Sequence, residues 1–89
     1  MKVVVRLYAT LAKKKPPGAL ANLYPEGFRA GTPIEMDLQD RATVADLASC
    51  LGLAGQDVHT AFVNGKSRPF DHSLADSDQV GLFPPIGGG

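Results

Sequence analysis

The chain has 89 residues, of which 44% are hydrophobic and 20% charged, with nine basic and nine acidic side chains. A chain of this size builds one core, hiding about 60–65% of the surface it exposes when unfolded, and has no room for a second domain. Its formal neutrality, without a basic block, gives no electrostatic reason to expect nucleic acid or an anionic membrane as a partner, and its single cysteine, Cys50, excludes an internal disulfide and a multi-cysteine metal site.

The first segment, KVVVRLYA, has the period of two that marks a strand: Val3, Val5 and Leu7 point one way, and Lys2, Val4, Arg6 and Tyr8 the other. Aliphatic runs as short as Val3-Val4-Val5 cannot span a bilayer, and with no leader in front of it a cytoplasmic location is the expectation. Residues 10–32 carry no sustained period. Leu11 and Ala12 can begin a turn of helix, which Pro16, Pro17 and Gly18 then break. The segment reads as an irregular insertion, held by apolar anchors at Leu20, Leu23, Tyr24 and Phe28 or else forming a mobile flap.

PIEMDLQ restores the alternation of a half-exposed strand, with Ile34, Met36 and Leu38 inward and Glu35, Asp37 and Gln39 outward. Thr43, with Asp46 three residues on, predicts a capped helix start. Val44, Leu47, Ala48 and Leu51 make one helical stripe and Gly52 suits a left-handed stop, so the helix is expected over residues 44–51. After a connector comes AFVNGKSRPF, in which Asn64-Gly65 predicts a two-residue hairpin turn whose central positions both need positive φ. DHSLADSD is turn sequence with one apolar anchor, Leu74, and QVGLF is the last strand, with Val80 and Leu82 on one face and Phe83 on the other.

Strand, long loop, strand, helix, strand, short strand, loop, strand is the order of a β-grasp: an α+β fold in which a mixed sheet of four to five strands wraps one main helix, as in ubiquitin. With this order, the combination VNGK and LADSDQVGLFPPIGGG resembles the MoaD/ThiS family of ubiquitin-like sulfur carriers, over residues 1–9 and 33–89. The MoaD branch closes on an apolar strand, Phe-Pro-Pro, an aliphatic residue, a variable residue and Gly-Gly; here Phe83, Pro84, Pro85, Ile86, Gly87, Gly88 and Gly89 hold those places. The chain departs from the family pattern in residues 10–32, where members carry a shorter, more helical segment. It departs again at Asp76-Ser77-Asp78, where members tend to have Asp-Gly-Asp, a change expected to matter for turn geometry alone.

The resemblance implies a globular part over residues 1–83 and an extended, flexible tail over 84–89. It also implies a carrier that acts as co-substrate and is not itself an enzyme. A ubiquitin-activating-enzyme-like adenylyltransferase of the MoeB/ThiF type would use ATP to adenylate the Gly89 carboxylate, and a sulfur donor would convert the acyl-adenylate to a thiocarboxylate. The loaded tail would enter a molybdopterin synthase large subunit of the MoaE type, with Phe83, Pro84, Pro85, Ile86, Gly87 and Gly88 contacting partners and no cofactor or metal bound. A ThiS-like role in thiamin thiazole assembly or another sulfur-transfer pathway, and a non-covalent ubiquitin-like interaction module, are the alternatives. The chemistry suits the tail. A terminal carboxylate, with a pKa of about 3.5, is an unreactive anion until activated. The six residues 84–89 extend about 20 Å, glycines pass where backbone must lie close to backbone, and prolines stiffen the base.

Other residues carry less. Phe62, Phe83 and Ile86 can form an apolar patch beside the tail, the alternative for Phe62 and Phe83 being the core. Arg6, Lys66 and Arg68 read as solvated surface charges, the alternative being pairing with acids on a partner, and Lys13-Lys14-Lys15 as a solvated loop, the alternative being a small anion patch. Cys50 could act as a nucleophile with His59 or His72, but no local signature supports this, and a buried or half-buried structural thiol is the expectation. His72 is expected to be exposed, and no phosphate-binding glycine loop opens a helix.

Overall fold

A computed structural model describes residues 1–13, 18, 22, 27–53 and 55–85. Five strands form one sheet: β1 (Lys2–Leu7), β2 (Ile34–Asp37), β3 (Thr60–Val63), β4 (Lys66–Arg68) and β5 (Gln79–Phe83). Their order across the sheet is β2-β1-β5-β3-β4. Strands β1 and β5, first and last in the sequence, lie side by side and parallel, and every other pairing is antiparallel. This is the mixed β-grasp sheet the sequence predicts, with the helix α1 (Val44–Cys50) packed on its buried face.

Period-two patterning decides which face is dry. Val3, Val5 and Leu7 of β1, Ile34 and Met36 of β2, Ala61 and Val63 of β3, and Val80 and Leu82 of β5 are buried in one core cluster. Val44, Leu47 and Ala48 of α1 and Leu51 just beyond it complete that cluster from the helix side. Leu38 continues the β2 alternation past the strand's end, and its backbone exchanges hydrogen bonds with Met1, the Met1 ammonium donating to the Leu38 carbonyl at 2.8 Å and the Leu38 amide to the Met1 carbonyl at 2.8 Å.

The helix is short, so its ends matter. Thr43 Oγ1 accepts from the Asp46 amide at 3.2 Å while Asp46 Oδ2 accepts from the Thr43 amide at 2.9 Å, a complete capping box. Two further free amides at this end are satisfied by the loop after β4: Val44 donates to the His72 carbonyl and Ala45 to the Phe70 carbonyl. His72 is therefore half-buried rather than exposed as its turn-forming sequence suggests, because the loop that carries it is folded onto the helix start. At the other end Gly52 adopts φ 77, the left-handed stop.

The connector after α1 contains a single 3₁₀ turn (Gly55–Asp57), too short to announce itself by periodicity. A 3₁₀ helix also spans Ala9–Lys13, burying Leu11 and Ala12. In the insertion Phe28 is buried, as expected of an anchor. Leu20, Leu23 and Tyr24, with Lys14 and Lys15, lie outside the described residues.

Candidate functional site

The other face of the sheet carries the surface features. Register places its side chains in a grid. Across β1, β5 and β3, Arg6 faces Gly81 and Gly81 faces Phe62; one step along, Phe83 faces Thr60; one step back, Val4 faces Gln79. Tyr8, just past the end of β1, stacks on Phe83 with ring centroids 4.4 Å apart and planes 3° apart. Phe62 meets Phe83 edge-on, at 5.5 Å and 84°. Such offset and T-shaped pairs contribute about 0.5–1.5 kcal/mol each beyond area burial.

Phe62 is the exposed large hydrophobic residue among the described residues, at 37% of its full exposure. It does not enter the core, because Ala61 and Val63 on either side of it take the inward positions. Phe83 is half-buried on the same outer face. At the centre of the grid Gly81 has no side chain. A Cβ there would lie 3.3 Å from the Tyr8 ring and 3.6 Å from the Phe83 ring, so the bare position is what lets the aromatic stack sit down on the sheet. At the edge of the patch Arg6 donates to Gln79 Oε1 at 2.9 Å, so its charge is held against the sheet by a neighbouring strand.

This aromatic face runs into the base of the tail. The Leu82 carbonyl accepts from Tyr8 and the Phe83 carbonyl accepts from His59 at 2.8 Å, the last rungs on the two sides of β5. Next come Pro84 and Pro85, neither of which has an N–H to donate. The ladder cannot continue, and the backbone leaves the sheet at this point. An open, largely apolar cavity of about 570 Å³ lies here, walled by Phe62, Phe83, Pro84, Pro85, Thr60 and Ala9. Ala9 adopts φ 53, an uncommon conformation for alanine, where the backbone turns from β1 into the 3₁₀ helix. His59 stands at the rim, its Nδ1 3.0 Å from Thr60 Oγ1.

Of the sequence-derived candidates, the structure brings Phe83, Pro84 and Pro85 together with Phe62. Ile86, Gly87, Gly88 and Gly89 lie outside the described residues. Sequence reasoning did not single out Tyr8, Thr60 and Gly81. Alternation does put Tyr8 on the outward face, but its partner is 75 positions away, across a parallel pairing that no local pattern reveals. Cys50 is exposed, contrary to expectation. It falls off the Val44-Leu47-Ala48-Leu51 stripe, and the open cavity beside it is lined by Asp37, Asp40, Arg41 and Asp46 and by no histidine. Neither His59 nor His72 is therefore placed to activate it there. Among the described residues no group of three histidines, cysteines or carboxylates could hold a metal ion, and no helix is long and apolar enough to cross a membrane.

A model of the ThiS family matches residues 24–89. Solved structures share the fold at low identity. SAMP1 from Haloferax volcanii aligns over 100% of both chains with a TM-score of 0.61 and 20% identity. The Haloferax volcanii HVO 2177 protein aligns over 100% of this chain and 87% of its own, with a TM-score of 0.65 and 24% identity. A Pyrococcus furiosus protein described as a putative molybdopterin converting factor, subunit 1, aligns over 96% of this chain and 98% of its own, with a TM-score of 0.56 and 24% identity. No curated protein matches the sequence.

Proposed function

Because the chain belongs to the ThiS family of small ubiquitin-like sulfur carriers, we propose that its terminal glycine, Gly89, is the group that carries sulfur. The observation that supports this most is the end of β5. Pairing stops at two residues that cannot donate, beside an exposed aromatic face, and the family match runs on through the glycines that follow. The residues take separate tasks. Tyr8, Phe62 and Phe83 offer a rigid apolar platform for a partner. Pro84 and Pro85 hold the base of the tail extended, reducing an ordering penalty of about 1–2 kcal/mol per residue. Ile86, Gly87 and Gly88 form a narrow lead for the reactive end.

Chemistry happens in the partner. The Gly89 carboxylate attacks the α-phosphorus of ATP in an activating enzyme of the MoeB/ThiF type, and pyrophosphate leaves. Hydrosulfide released by a sulfur donor then adds to the activated carbonyl and AMP leaves, giving a thiocarboxylate. Because the acyl-adenylate hydrolyses readily, it has to form where water is excluded, and so the terminus must reach well beyond the globular part. The carrier supplies no catalytic side chain. Within the family we favour delivery to a MoaE-type large subunit for molybdopterin assembly, on the Phe83-Pro84-Pro85 sequence and the likeness to the Pyrococcus furiosus converting-factor subunit. Thiamin thiazole assembly is the competing destination.

A second reading has its own observation: SAMP1, described as a small archaeal modifier protein, aligns with this chain over nearly its whole length. In a modifier the same activated carbonyl would be attacked by an amine of a target protein. Intact mass after co-expression with the cognate activating enzyme and sulfur donor separates the two. Sulfur replacing one oxygen at the terminus is expected for the carrier. Accumulation of amide-linked adducts without that replacement would reject the carrier reading in favour of the modifier.

A further inference from the structure

The Asn64-Gly65 turn is a structural signal that the carrier reading leaves unused. Asn64 adopts φ 53 and Gly65 φ 84, as a two-residue hairpin turn requires, and nothing lies within 4 Å of the place a Gly65 Cβ would occupy. An asparagine followed by an uncovered glycine is the arrangement most open to self-cyclisation, because no side chain shields the glycine nitrogen. In this turn the asparagine side chain is held at both atoms. Asn64 Nδ2 donates to Asp78 Oδ1 at 2.9 Å, and Asn64 Oδ1 accepts from the Gln79 amide at 2.9 Å. The Asn64 amide also donates to the Gln79 carbonyl at 2.8 Å. Asp78, the buried charged residue among the described residues, is itself fixed, its Oδ2 accepting from the Ala75 amide at 2.8 Å.

We propose that Asn64-Gly65 is a latched deamidation site, held shut by Asp78 and Gln79 and released only when the β3–β4 hairpin detaches from β5. The Gly65 nitrogen attacks Asn64 Cγ, the Cγ–Nδ2 bond breaks and ammonia leaves, giving a succinimide. Water then opens either ring carbonyl to give aspartate or isoaspartate; no oxidant or reductant is involved. Ring closure needs Cγ to swing onto the Gly65 nitrogen, which both hydrogen bonds of the asparagine amide oppose. Once formed, neither product can latch again. Aspartate sets a carboxylate against the Asp78 carboxylate where a donor stood, and isoaspartate adds a methylene to the backbone of a two-residue turn. The reaction therefore records, irreversibly, the first opening that outlasts cyclisation.

The test uses the whole protein, incubated at mildly alkaline pH either native or unfolded in urea, with conversion at Asn64 and isoaspartate content followed by peptide mass spectrometry. Asn22, followed by a leucine, serves as a slow internal reference. Conversion at Asn64 should be at least about tenfold slower in the native protein, the factor carried by a single charge-assisted hydrogen bond. Asp78→Ala should raise the native rate toward the unfolded one while circular dichroism stays folded. Should that variant fail to fold, Asp78→Asn, which keeps the shape and removes the charge, takes its place. Equal rates for the native and unfolded wild type would overturn the proposal, as would a folded variant that converts no faster than the wild type.

Discussion

At Ser77 the backbone adopts φ 71, in the left-handed region that disfavours side chains. Its amide donates to the Lys2 carbonyl at 2.7 Å, so the turn is fixed to β1 and cannot relax away. The glycine that family members tend to place here is thus explained by geometry, and serine holds the same turn under strain. Ser77→Gly should stabilise the fold by about 0.5–1 kcal/mol, the left-handed penalty less the extra freedom glycine gives the unfolded chain. A urea unfolding curve reads this as a higher midpoint at unchanged slope; a lower midpoint would mean that the 3.5 Å contact of Ser77 Oγ with Asp76 matters more than the strain.

At the scale of the element, α1 has seven residues, too short to persist on propensity alone. It exists because its stripe is buried and its start is capped twice over, by Thr43 and by the carbonyls of Phe70 and His72. Thr43→Ala should destabilise the protein by about 1 kcal/mol and at most about 2, measured as a lower thermal midpoint; no change would show that the loop carbonyls suffice. The sequence made Thr43, Asp46 and the stripe legible because each acts within one helical turn, and Asn64-Gly65 because a turn is local. Alternation in β1, β2 and β5 gave the buried faces for the same reason. Phe62 was not legible as a surface residue, since an aromatic ring between two apolar neighbours satisfies core and patch alike until register sets it opposite Gly81. The exposure of Cys50 was available from the stripe and was outweighed by the usual burial of free thiols.

For the whole molecule, the proposed function makes two demands that can be tested separately. Extending the polypeptide by one residue beyond Gly89 should abolish sulfur loading while leaving the denaturation midpoint unchanged, read by intact mass and thermal unfolding; loading that survives the extension would remove the terminus from the mechanism. Phe62→Asp should leave the fold in place, since the ring is already exposed, and weaken binding to the activating enzyme by at least about tenfold if this ring anchors the interface. Calorimetry against the purified enzyme measures it, and unchanged affinity would move the contact elsewhere. The placement of β5 bears on both. It is the middle strand of five, paired with β1 on one flank and β3 on the other, and the tail continues directly from it. A tug on the tail therefore loads two rows of backbone hydrogen bonds in shear, all at once, instead of peeling an edge one bond at a time. The globule is anchored like a rope spliced into the centre of a mat, so the terminus can be drawn taut through a narrow channel without unravelling what holds it.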